Sequence, residues 1–201
     1  PMQGENEFST YGHSIENYNF NVEYIIEYIK YMHASIVTKK LFDEISDGFN
    51  KIILLAVVVS HELSRYSCFG KCDRVFDLSS IDRHKNYFLI DSSFIDKLKN
   101  RGVLIDGTFA ENVNKFIENN FNNIFPIDRL RWIAHGHVGS DVIWACVGRI
   151  ALDCGISHED AVCISRGNKT EKFRFFSEWL SRLPNEKRIP IDDVVDWLVT
   201  V

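Results

Sequence analysis

Ile52-Ile53-Leu54-Leu55-Ala56-Val57-Val58-Val59 is the stretch whose reading decides the fold. Its β-branched content permits a strand, but its flanks do not. Leu41, Ile45 and Phe49 before it, and Leu63 after it, fall with Ile52, Ala56 and Val59 on one stripe at three- and four-residue spacing, the period of a helix. The segment from about 35 to 66 therefore reads as one long helix, with Gly48 as the place where it would bend or break. Because the run is apolar all round, it should form the central, most buried part of the molecule. At eight residues it is far short of the ~20 needed to cross a bilayer.

Helical periods continue on both sides. Val22, Ile25, Ile26, Ile29 and Met32 mark a helix from about Phe20. Residues 67–92 carry no clear period, although Cys68-Phe69-Gly70-Lys71-Cys72 reads as a turn and Asp91-Ser92-Ser93 as a helix start. Phe94, Ile95 and Leu98 predict a short helix closed by Gly102, and Phe109, Val113, Phe116 and Ile117 another. An asparagine-rich turn follows, and Pro126 is placed to begin a helix running through Trp132, Trp144 and Ile150, with a break expected at Gly136 or Gly139. Ser157 and Asp160 form a capping box for a further helix, and 173–183 and 192–199 are amphipathic. These elements predict an all-α helical bundle over 19–154, preceded by a loose segment 1–18 and followed by a C-terminal helical extension 155–201 packed on the core.

Composition narrows the function classes. With 23 basic against 28 acidic residues the net charge is −5, which excludes a uniformly basic nucleic-acid coat and leaves room for a local basic patch. The five cysteines contain no Cys-x-x-Cys pair, so zinc ribbons and thioredoxin-type motifs are excluded and reduced thiols in a cytoplasmic protein are expected. The N-terminus does not read as a signal peptide, and Pro1 reads as a remnant ahead of a native start at Met2.

The stretch richest in chemistry is Ile127-Asp128-Arg129-Leu130-Arg131-Trp132-Ile133-Ala134-His135-Gly136-His137. Arginine is a permanent cation that grips phosphate through two parallel N–H bonds. Histidine moves protons near neutral pH. Together they are the minimum for metal-free RNA cleavage, in which the 2′-OH attacks the adjacent phosphorus, His shuttles protons and Arg stabilises the charge on the phosphate.

In these residues the chain resembles the HEPN superfamily (higher eukaryotes and prokaryotes nucleotide-binding), small all-α domains of which many are metal-independent RNases of toxin–antitoxin and antiphage systems. The family motif is an Arg, four to six residues, then a His, often ending Ile-Ala-His-Gly. Here five residues separate Arg129 from His135, and Ile133-Ala134-His135-Gly136 matches the ending. Asp128 just upstream is in keeping with the family, as is a Glu on the core helix, here Glu62. The family's usual polar residue after the Arg is replaced by Leu130. On a continuous helix Arg131 shares a face with His135, whereas Arg129 would lie ~120° away, so motif spacing favours Arg129 and helix geometry Arg131. The resemblance implies His135 as general acid/base, Arg129 or Arg131 on the phosphate, Asp128 orienting an arginine and His137 assisting. It also implies RNA as partner and a homodimer whose two motifs face each other across a cleft, with a protein antitoxin as a further partner; no cofactor, metal or membrane is called for.

The same residues have plainer readings. His135 and His137 at i, i+2 share a side only on a strand, and no carboxylate or Cys completes a zinc set. His135 alone is often a buried, hydrogen-bonded imidazole. Glu62 and Arg65 should pair on the helix surface. Cys68 and Cys72 could form a redox pair, but nothing in the sequence activates them. A helix-turn-helix DNA reader is suggested by Ile150 to Ser157, but its second helix begins His158-Glu159-Asp160, which would meet phosphates with carboxylates. That reading needs Arg166, Lys169, Lys172 and Arg174 on one exposed face. A protein-interaction module (immunity, antitoxin or effector type) would instead show an exposed aromatic patch.

Overall fold

The computed structural model describes residues 17, 20–34, 36–66, 68–72, 74–123, 125, 130, 133–166 and 169–183. Seven α-helices, two single-turn 3₁₀ helices (Phe69–Lys71 and Leu78–Ser80) and one small hairpin make up the regular structure of these residues. The fold is all-α, as the apolar periods predict.

Helix α1 spans Val22–Met32 and α2 spans Lys39–Ser64. Each begins at a polar residue whose side chain takes the first orphan amides. Asn21 accepts from the N–H groups of Glu23 and Tyr24, and Thr38 accepts from that of Leu41. Gly48 lies within α2 without interrupting it. The apolar run is the deepest part of the molecule: Ile52, Ile53, Leu55, Ala56 and Val59 have no exposed surface. Helix α3 (Ser93–Asn100) starts where Asp91 accepts the Ser93 amide, and ends at Gly102, whose φ of +70° suits glycine. There Gly102 and Val103 donate back to Lys99 and Leu98, the paired closure of a Schellman turn. Helix α4 is Phe109–Asn120.

Residues 67–92 hold an element the sequence does not announce. Ile81–His84 (β1) and Tyr87–Ile90 (β2) pair antiparallel, Ile81 opposite Ile90 and His84 opposite Tyr87. The strands have four residues each, β1 has one apolar side chain, and the turn is Lys85-Asn86 rather than an Asn-Gly type, so neither alternation nor turn chemistry marks it. Asn114 of α4 extends the hairpin by holding both the N–H and the C=O of Ile90.

Helix α5 runs Gly136–Asp153, and α6 and α7 run His158–Arg166 and Lys169–Arg182. Here the break expected at Gly136 or Gly139 is found, but it begins earlier, so the helix expected through Ile133 and Ala134 is corrected. Residues 133–135 form a turn and bend, and His135 has extended backbone angles (φ −66°, ψ 122°) ahead of the first helical residue. The break falls just before Gly136, where two buried polar side chains hold the chain in a non-helical path, as described below. The same-face argument for Arg131 and His135 therefore does not apply. Pro126, Trp132 and the helix expected over 192–199 lie outside the described residues.

Helices α2 and α5 are the packed pair at the centre, with α6 against the outer side of α5. The α5–α6 contact is close enough to need glycine. A Cβ at Gly148 would sit 2.6 Å from the Ser165 Cβ and 2.8 Å from the Ala161 carbonyl oxygen. Helix α7 is fastened by aromatics: Tyr24 and Tyr28 of α1 meet Phe175, Phe176 and Trp179 of α7 and Trp144 of α5. Among the described residues no helix is long and apolar enough to cross a membrane.

Candidate functional site

The N-terminal end of α5 is built by residues distant in sequence. Ser60 is a lone hydroxyl in the apolar wall of α2 and is buried. It donates to the Ala56 carbonyl (2.7 Å) and accepts the backbone N–H of His135 (3.1 Å). Buried Asn17 donates through Nδ2 to the carbonyl of Ala134 (2.8 Å). These bonds satisfy backbone groups that a helix would have used, and so stabilise the break before α5. The carbonyl of His135 accepts from the Gly139 N–H, the first bond of α5.

The His135 ring is thereby placed at the helix entrance. It lies flat on Phe69, with centroids 4.0 Å apart and planes 12° apart. The ring is half-buried with Nδ1 turned inward. His137, in the first turn of α5, is exposed, its ring centroid 6.0 Å from that of His135. Ile133 beside them is 55% exposed. One turn on, Asp141 accepts the backbone N–H of Arg74 (2.9 Å).

Of the residues singled out from the sequence, His135 and His137 come together here, while Asp128, Arg129 and Arg131 lie outside the described residues. Glu62 pairs with Arg65 (2.9 Å), as the i, i+3 spacing predicts, on the turn of α2 that follows Ser60. Asn17, Ser60 and Phe69 carry the site yet had no sequence signal of their own.

Other candidates take plainer roles. Cys68 and Cys72 are buried thiols with sulfurs 3.8 Å apart, and burial, reinforced by Cys68, pushes the Cys72 thiol up to about 12, away from the reactive thiolate. Among the described residues no three His, Cys, Asp or Glu side chains are placed to share a metal ion. Of the basic set required of a DNA reader, the Lys169 side chain lies outside the described residues and the other three are engaged with neighbouring side chains. Arg174 binds Glu171 and the Tyr31 hydroxyl, Lys172 sits 4.0 Å over the Trp144 ring, and Arg166 leans towards Asp77.

The opposite end of α5 is charged. Arg83 of β1 bonds Glu44 of α2 and reaches Asp153 of α5 (3.5 Å), tying three elements together. Beside it opens a cleft of about 440 Å³ whose walls include Lys40, Lys51, Lys85 and Asp47. No family model matches the chain and no curated protein matches it, so the HEPN-like resemblance rests on residues 127–137.

Proposed function

We propose that the chain is a HEPN-like, metal-independent ribonuclease or RNA-binding protein of the kind found in bacterial toxin and defence systems, acting through His135. The observation that carries this reading is the way His135 is held. Its backbone is fixed by Ser60, its ring is braced by Phe69, and its half-exposed edge stands at the start of α5 beside exposed His137. With Nδ1 turned inward, a preorganised imidazole acts through its other nitrogen, Nε2, in this reading. The first-turn amides of α5 add partial positive charge where a phosphate would lie.

In the proposed reaction Nε2 of His135 takes the proton of the ribose 2′-OH as that oxygen attacks phosphorus. The bond to the 5′-oxygen breaks, and that oxygen takes a proton from the protonated His137 as it leaves, giving a 2′,3′-cyclic phosphate and a free 5′-OH. Arg129, or Arg131 in its place, grips the phosphate, with Asp128 orienting it and His137 assisting. Exposed Ile133 gives the surface around the site an apolar residue that a second copy would cover, which favours the homodimer.

A second reading has its own observation. Phe42, 44% exposed, borders a shallow apolar groove formed by Ile26, Ile29, Val37, Leu41 and Ile45 between α1 and α2. This suits a protein-interaction module such as an antitoxin or immunity partner.

Incubation of the protein with total RNA and a tRNA pool in EDTA separates the two. The RNase reading predicts cleavage leaving cyclic phosphate ends, lost in His135→Ala, and reduced in whichever of Arg129→Ala and Arg131→Ala removes the phosphate ligand. A wild-type protein that neither cleaves nor retains RNA leaves the interaction reading.

A further inference from the structure

A second cleft, of about 360 Å³, lies between the turn at Asp77–Ser79 and the α5–α6 pair. Its floor is apolar, from Leu78, Leu152 and Val162, and its rim carries Arg149, Arg166 and His158. The volume is that of a small-molecule site, and an apolar floor with a few converging polar groups is the usual make-up of one.

Both arginines are held by long ion pairs and by no hydrogen bond to their carboxylate partners. The Arg149 Nε is buried without a hydrogen bond among the described residues. The facing carboxylate oxygen of Asp153 is 3.8 Å away, beyond hydrogen-bond reach, and the other oxygen of Asp153 leans to Arg83. Arg166 stands 3.8 Å from Asp77, again too far for a hydrogen bond. Asp77 itself does not neutralise the rim, because its other oxygen is taken by the Lys97 ammonium (2.7 Å) and by the N–H and hydroxyl of Ser79 (2.9 and 2.8 Å). Two guanidinium groups, about 32% and 68% exposed and held only by long ion pairs, and an imidazole thus line an apolar pocket. Buried donors in native proteins are almost always satisfied, and a guanidinium fork matches the oxygens of a phosphate.

We propose that this cleft binds a small organic phosphate monoester, its phosphate held by Arg149 and Arg166 with His158 alongside, and its apolar group resting on Leu78, Leu152 and Val162. A phosphate is favoured over a carboxylate because two forked cations line the same cleft, and a phosphate offers three terminal oxygens where a carboxylate offers two. The site lies towards the far end of α5 from His135 and is independent of the RNA reading.

Titration calorimetry of the full chain with phenyl phosphate, benzoate and inorganic phosphate tests this. Phenyl phosphate should bind saturably below about 10 mM and more tightly than either of the others, and Arg149→Met and Arg166→Ala should each weaken it about tenfold. Arg166 is largely exposed, so its loss leaves the fold intact even if Arg149→Met loosens it; thermal melting checks both. Absence of saturable binding, equal binding of benzoate, or binding unchanged in Arg166→Ala would overturn the proposal.

Discussion

The two ends of α5 differ in what holds them. At the N-terminal end, neutral polar groups do the fastening: Ser60 and Asn17 reach the backbone of His135 and Ala134 from inside the apolar core. At the C-terminal end, charges do it, with Arg83 between Glu44 and Asp153. The helix has 18 residues, so the ends stand ~27 Å apart. The end that carries His135 is fixed by bonds that ionic strength does not weaken, whereas the end with the clefts is fixed by bonds that salt screens. The two proposals, an imidazole held for proton transfer and a cleft for a phosphate, thus fall at opposite ends of one helix.

The sharpest way to break that comparison is His135→Ala. It should lower RNA cleavage by about 10²- to 10⁴-fold, the usual contribution of a general acid/base, while leaving phenyl phosphate binding at the other end unchanged. Cleavage kinetics and calorimetry on the same protein check both halves.

Gly148→Ala should be the largest perturbation of stability. The added methyl would meet the Ser165 Cβ and a backbone carbonyl of α6, which cannot both give way. Overpacking of this kind costs about 1–3 kcal/mol, readable as a lower urea midpoint.

Ser60→Ala should cost about 1–2 kcal/mol, because the His135 amide loses its acceptor at a largely buried position. It should also lower cleavage without touching the imidazole. Ser60→Thr, which keeps the hydroxyl, should restore activity if positioning is the cause.

The smallest effect is acidic. Burial raises the Asp77 carboxyl, but its bonds from Lys97 and Ser79 outweigh that and hold it below the usual carboxylate range. A carboxyl depressed in the folded state contributes stability above its unfolded value, near ~3.9, and loses it as pH falls through the folded value. The melting temperature of the wild type should therefore drop more steeply below about pH 4 than that of Asp77→Asn.

Helices were legible where one stripe ran unbroken. The α2 stripe from Leu41 to Leu63 and the α1 stripe from Val22 to Met32 could be read from spacing alone, as could the capping of α6 by Ser157. The hairpin was not, since four-residue strands with a Lys-Asn turn carry too little pattern. The break near Gly136 could be read from the glycine, but its start at 133–135 could not, because Ile133 and Ala134 continue a helical period and the groups that interrupt it come from positions 75 and 117 residues away. The site divides in the same manner. His135 and His137 stand out by residue type and local spacing, whereas Ser60, Asn17 and Phe69 matter through long-range contacts that no local window contains. The orphaned Arg149 Nε is likewise a property of the packed structure, not of its neighbours in sequence.

The most direct test of the central claim reads both ends of α5 at once. In a two-dimensional NMR spectrum of the histidine rings, a cleavage-resistant 2′-deoxy-substituted RNA oligonucleotide is titrated into the full chain. The account predicts that the ring signals of His135 and His137 shift while that of His158 stays in place. A spectrum in which His158 alone moves, or in which no histidine moves, would contradict it.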